Sequence, residues 1–295
     1  MRPKHAVLLV LGVAAVSTSA PLIRLADAPP LAVALYRNLF AALALFPFAL
    51  IRHRAELAAL DRRRWGGLAL AGGFLAIHFA AWIPSVGLTT VAASTALVNS
   101  QSIWAAVGAR VVLGERVRRA AFVGIAVALA GAVVISGADF ALSPRAFAGD
   151  MLAVVGAVSA AGYLLTGRRL RQRLSLVAYA FVVYAVCSLL LLIAALVVGT
   201  PLTGFEPEAW LLFVLMAAGP QILGHTVFNY LLRDVEATVV AVAVMAEPVG
   251  ASLLALALFG EVPPVSAVIG GAVILAGIYL AVTAQARRPA EAPVE

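Results

Sequence analysis

Two stretches of this sequence match: Gly114-Glu115-Arg116-Val117-Arg118-Arg119 and Gly260-Glu261-Val262-Pro263-Pro264. Their Gly-Glu pairs stand 146 residues apart, and the correspondence continues without a gap. Gly124 and Gly270 keep that offset, as do Leu129-Ala130-Gly131 and Leu275-Ala276-Gly277. Patches that recur at one fixed offset are the mark of an internal repeat, and a repeat decides the fold before any local reading does.

Apolar runs lie on either side of each Gly-Glu pair. Hydrophobic residues make up 63% of the chain and charged residues 12%, against about half and a quarter in soluble domains. A helix needs about 20 mostly apolar residues to cross the hydrocarbon core. Ten stretches qualify, near His5–Leu25, Leu31–Ile51, Trp65–Leu88, Val91–Leu113, Ala120–Gly137, Gly149–Gly167, Leu176–Val198, Ala209–Leu232, Val235–Phe259 and Pro264–Ala284. Backbone groups in lipid must be satisfied within the span, so helix is the expectation. The first run has basic residues before it and small residues near its end, as a signal peptide does. It is read as a retained span, because its removal would break the repeat.

Lysine and arginine placement gives the orientation. Arg2 and Lys4, the cluster Arg52 to Arg64, Arg110 to Arg119, Arg168 to Arg173, Arg233, and Arg287 with Arg288 all fall on one side of a ten-span arrangement. The other side has Arg24 and Arg145. Both termini are therefore expected in the cytoplasm, with the chain in the inner membrane. The repeat unit holds five spans, an odd number, so the second copy enters from the opposite side. The flanking charges agree: the first Gly-Glu leads into a basic loop and the second into Val262-Pro263-Pro264. The expected fold is an all-α membrane protein of ten transmembrane helices in two inverted five-helix repeats. The first occupies residues 1–140 and the second 147–286, with a short cytoplasmic tail at 287–295. Inverted repeats are a common construction of carriers that work by alternating access.

Other classes fall away. The net charge of +7 is spread over short loops between apolar runs, not over a face suited to nucleic acid. The single cysteine, Cys187, supports neither a disulfide framework nor a metal cluster. There is no phosphate-cradling Gly-rich loop with Lys-Ser/Thr, no His-Glu-x-x-His and no Gly-x-Ser-x-Gly. Neither cofactor nor metal is expected. The expected partners are the lipid bilayer and a small-molecule substrate. The chain is read as a monomer, with a homodimer as the alternative.

Polar groups at membrane depth are costly and mark functional sites. His78 and Trp82 are four apart and share a helical face, and His225 and Asn229 repeat that spacing in the matching span. The two pairs are offset by 147, which requires a one-residue shift between the copies. Tyr163 offers a ring for stacking and a hydroxyl for a hydrogen bond. Arg37 is either a partner for a substrate carboxylate or a side chain snorkelling to the interface; Arg24 reads as snorkelling. Glu247, followed by Pro248, stands mid-span, as a coupling carboxyl or as part of a kink. Span four carries Asn99 and Gln101. The glycines of spans five and ten are packing faces and potential dimer contacts.

The Gly114-Glu115-Arg116 after span four, the Gly-x6-Gly spacing of spans five and ten, and Ala246-Glu247-Pro248 resemble the EamA branch of the drug/metabolite transporter superfamily, its aromatic amino-acid exporters in particular. That resemblance implies ten helices in two inverted halves. Spans one to four and six to nine surround a cavity that Asn99 and Gln101 border. It also implies export of amino acids or similar metabolites and no enzymatic activity. Gln101-Ser102 departs from the pattern by standing where the second half has Glu247-Pro248. The aromatic and imidazole groups suit aromatic or large apolar amino acids. A passive channel or facilitator, or an efflux carrier for other drugs or metabolites, is the alternative. An intramembrane enzyme would need paired ionisable groups; only Glu247, His78 and His225 qualify, and no spacing joins them.

Overall fold

A computed structural model describes residues 3–113, 123–124, 126–128, 130–131, 133–134, 143–235, 240, 243–244 and 246–286. Glu115 with its basic neighbours, much of span five, part of span nine and the tail from residue 287 lie outside the described residues. All regular structure among the described residues is helical. In chain order the helices are α1 (Pro3–Ser17), α2 (Ser19–Leu25), α3 (Pro30–Arg52), α4 (Arg54–Ala58), α5 (Arg62–Leu88), α6 (Val91–Val98) and α7 (Gln101–Leu113). Then come α8 (Pro144–Arg171), α9 (Leu176–Val198), α10 (Pro207–Met216), a π-helical segment (Ala217–Thr226), α11 (Val227–Leu231), α12 (Glu247–Phe259) and α13 (Val265–Ala286). Among the described residues, six segments are long and apolar enough to cross a bilayer: Pro3–Leu25, Pro30–Arg52, Arg62–Leu88, Pro144–Arg171, Leu176–Val198 and Pro207–Leu231. Shorter apolar helices follow in α12 and α13.

Polar residues at the loop edges start these helices by accepting from otherwise unpaired backbone N–H groups. Asp61 accepts from the Arg64 amide at 2.7 Å and opens α5. Thr90 does the same for α6 from Ala93 at 3.1 Å, and Ser175 for α9 from Ala178 at 3.3 Å. Gly260 closes α12 at φ +65°, a conformation that side chains with a Cβ rarely adopt.

Large apolar side chains face outward, while several polar ones lie inside an otherwise apolar interior. Ile51 and Val197 are 80% and 82% exposed, whereas Arg37, Asn38, Gln221 and Asn229 are fully buried. Apolar surface facing outward and polar groups facing inward is the arrangement lipid imposes. The two halves intermesh, with α5 lying along α8 and α9 against α3 and α5. Gly156 on α8 makes the first of these contacts close, because a Cβ there would meet the Trp82 Cβ at 3.0 Å.

Spans five and ten pack on one another through their glycines. A Cβ on Gly131 would strike the Gly270 carbonyl and the Ile274 amide; one on Gly277 would strike the Gly124 carbonyl and the Ala128 amide. Each of these second-half residues is its first-half counterpart displaced by 146. The surface is self-complementary in the way a two-fold interface is. It is covered within one chain, so these faces are not open for the dimer contact suggested above.

Among the described residues, spans one, four and nine are interrupted where continuous helices were expected. Span four breaks at Asn99 and Ser100, between α6 and α7. There side chains compete for the ladder: Asn99 Nδ2 donates to the Thr95 carbonyl at 2.9 Å and Ser102 Oγ to the Asn99 carbonyl at 2.9 Å. Span one breaks at Thr18, whose hydroxyl donates to Ala15 O at 2.7 Å. In span nine Glu247 opens α12, and Pro248 lies in the first turn. A proline there gives up no backbone bond, so Pro248 starts a helix where a mid-helix kink was expected.

Candidate functional site

The breaks fall around one narrow cavity. Val16, Ser19, His78, Trp82, Val98 and Gln101 line it from the first half, and Ala160, Tyr163, Leu164, His225, Phe228, Val240, Val244 and Glu247 from the second. Six of the ten residues singled out from sequence converge here: His78, Trp82, Gln101, Tyr163, His225 and Glu247. Gln101 and Glu247 are the first residues of α7 and α12 and stand 146 apart. The two copies therefore interrupt the same helix at the same place, and both interruptions reach the cavity.

His78 and Trp82 form one wall. Their rings stack with centroids 5.7 Å apart and planes 14° apart. His78 Nδ1 lies 3.0 Å from the Gly156 carbonyl. A carbonyl only accepts, so Nδ1 carries the hydrogen and, in the neutral ring, Nε2 keeps a lone pair. Trp82 is buried, and among the described residues its indole N–H has no hydrogen-bond partner. His225 closes the opposite side, with its ring centroid 6.3 Å from His78, 5.5 Å from Phe79 and 6.3 Å from Tyr163.

The 147-residue offset between His78 and His225 has a structural counterpart. His225 lies in the π-helical segment, which also contains Pro220. A π turn closes i→i+5 bonds and holds one more residue than an α turn. The wider turn has room for the extra residue, and the His225 ring stands 5.5 Å from that of Phe79.

Three other residues support the wall without lining it. Asn229 donates to the Tyr163 hydroxyl, which accepts there and keeps its own hydrogen to donate. Asn99 donates to Glu247 Oε2 at 3.2 Å and joins the two helix breaks. Arg37 is fully buried one layer behind the cavity, so it does not snorkel to an interface. Its Nη1 donates to Ser19 Oγ at 2.9 Å and its Nε to Gln221 Oε1 at 3.1 Å. Its guanidinium carbon stands 4.2 Å from the Phe79 ring centroid, within cation–π range.

Sequence reasoning missed Ser19 and Gln221. Ser19 lay in the small-residue stretch read as part of a signal-like segment; Gln221 is a polar residue beside Pro220 in an apolar run. Arg24 was expected to snorkel. It instead pairs with Glu261, and donates to the carbonyls of Val86 at 3.0 Å and Thr89 at 2.9 Å. Glu261 also accepts from the Val91 amide at 2.8 Å. One ion pair thereby ties α2, the end of α5, the start of α6 and the end of α12 together.

The sequence profile of the EamA-like transporter family matches this chain twice, over residues 4–137 and 147–283. An uncharacterized transporter of Archaeoglobus fulgidus is 28% identical over 273 residues, spanning 89% of this chain and 91% of that protein. A protein of known crystal structure superposes over 98% of this chain and 100% of its own, with a TM-score of 0.71 and 20% identity, which shows a shared fold. With two family matches over most of its length, the chain belongs to the EamA-like transporter family and is a multi-pass membrane transporter, not an enzyme.

Proposed function

We propose that the chain exports amino acids, with aromatic or other large apolar side chains preferred, by alternating access of the central cavity. The observation that carries this reading is the cavity itself. Both halves line it, it is walled by the stacked His78–Trp82 pair, His225 and Tyr163, and it is edged by the polar groups of Ser19, Gln101 and Glu247. An apolar pocket with few polar anchors suits an amphiphilic metabolite. The proposed architecture is ten spans in two inverted halves, in the inner membrane with both termini cytoplasmic. The reciprocal contacts of Gly131 and Gly277, the equivalent helix starts at Gln101 and Glu247 and the loop charges support it. In that arrangement spans five and ten act as a buttress, and Asn99, Asn229 and Arg37 orient the binding surface.

The test is counterflow in liposomes with each protein amino acid. We expect saturable exchange of phenylalanine, tyrosine, tryptophan or leucine, reduced by His78→Ala and Trp82→Ala. Flux that fails to saturate would favour a channel. No exchange of any amino acid, with exchange of another apolar compound, would favour a different efflux cargo.

A further inference from the structure

Glu247 is the acidic residue of the cavity lining, and its surroundings leave it incompletely compensated. A carboxylate offers about four acceptor sites. Asn99 Nδ2, at 3.2 Å, is its side-chain hydrogen-bond partner among the described residues, and the same amide also donates to Thr95 O. No lysine, arginine or histidine among the described residues forms an ion pair with it.

The charged groups around it are few. Helix α12 packs against α1, α2 and α6. Helix α6 carries no titratable side chain. Arg24 on α2 is engaged with Glu261. Lys4 and His5 lie at the far start of α1, about 18 Å along the helix from Ser17 by the rise per residue. Across the cavity stand His78, His225 and Tyr163. Arg37, behind the wall, is within Coulombic reach of Glu247 but is held by Ser19, Gln221 and Phe79.

An unpaired carboxylate away from water is costly. It is relieved by a proton or by a cation, and the cavity is where either would arrive. Arg37 stays charged, so the two ionisable poles sum to zero when Glu247 is ionised and to plus one when it is neutral. The ionised state suits a zwitterion. The substrate ammonium meets Glu247. Its carboxylate meets the hydroxyl of Ser19, whose oxygen already accepts from Arg37 and whose hydrogen is left to donate.

We propose that Glu247 is a proton-exchange site at which a proton and the ammonium group of the substrate compete, so that export of the substrate is coupled to entry of a proton. This rests on the transporter reading above. On binding, the carboxylic acid gives its proton to cavity water and the carboxylate pairs with the incoming ammonium. On release the ammonium leaves and a proton from the opposite side takes its place. No electrons move and no covalent bond of the substrate changes.

Two measurements test it. The first needs no substrate: infrared difference spectra of the protein in liposomes across a pH series, on wild type and Glu247→Gln. A protonated-carboxyl band that titrates in wild type and vanishes in the variant is expected; an identical band in both overturns the proposal. The second adds phenylalanine to purified protein in weak buffer with a pH indicator, with binding followed by thermal shift. Wild type should release protons on binding, and Glu247→Gln should release none. Equal release from both overturns the proposal. If phenylalanine shifts neither protein, that test goes against the substrate reading, while the infrared result still decides the proton site.

Discussion

Gly131 and Gly277 make the same close approach from opposite members of one helix pair, each pressed onto the backbone that the other's repeat supplies. Side chains at either position meet backbone, which cannot step aside. Gly131→Leu and Gly277→Leu are therefore expected to destabilise the fold by similar amounts, about 1–3 kcal/mol from overpacking. A Cβ on Gly66 meets nothing within 4 Å. Gly66→Ala should stabilise slightly, by about 0.5–1 kcal/mol from helix propensity. Thermal unfolding in detergent checks all three, and strongly unequal effects at 131 and 277 would contradict the reciprocity.

Trp82 buries an indole N–H that has no hydrogen-bond partner among the described residues. An unmade buried hydrogen bond costs about 1–3 kcal/mol, so Trp82→Phe should leave the unfolding temperature unchanged or raise it. If the substrate supplies the missing acceptor, the same variant should raise KM about 2–10-fold, the equivalent of one hydrogen bond. Kinetics and unfolding measured on one preparation separate this from a packing effect, which would lower stability.

The Arg24–Glu261 pair is partly buried, with side chains 27% and 16% exposed. Hydrogen bonds to charged groups contribute about 1.5–3 kcal/mol. A double-mutant cycle with Arg24→Ala and Glu261→Ala should return a coupling energy in that range. A cycle near zero would class the pair with ordinary surface ion pairs.

Glu56 gives a pH dependence. Burial raises its pKa, but the Ser175 amide, bonded to Oε1 at 2.6 Å, and His53, 3.2 Å from Oε2, outweigh it and hold the carboxyl below its usual value. A depressed carboxyl stabilises above its unfolded pKa of about 4.3 and loses that contribution as pH falls through the folded value. Wild type should lose unfolding temperature below about pH 4.5 more steeply than Glu56→Gln, and parallel curves would refute the clamp between α4 and the start of α9.

Much of this was legible in sequence because it follows from spacing. Gly131 and Gly277 share the 146-residue offset and each leaves no room for a side chain, and His78 and Trp82 announce themselves four apart. What was not legible depends on the backbone. Hydropathy over Val91–Leu113 is blind to the helix break at Asn99, because the residues stay apolar on both sides. Pro248 reads as a kink until it is known that a helix begins one residue before it. Ser19 and Gln221 carry no periodic signal, since their importance comes from Arg37 on another helix. Glu261 pairs with Arg24 across 237 residues, a distance no local pattern spans.

The π-helical segment has a further consequence. Two equal copies arranged in opposite senses would give a carrier whose inward- and outward-facing states have the same energy. The segment Ala217–Thr226 has no such counterpart in α5, and Glu247 stands where the first half has Gln101. Both differences lift that degeneracy. If transport runs by the proposed alternating access, the empty carrier is expected to rest preferentially on one side of the membrane, with its two directions of reorientation running at different speeds.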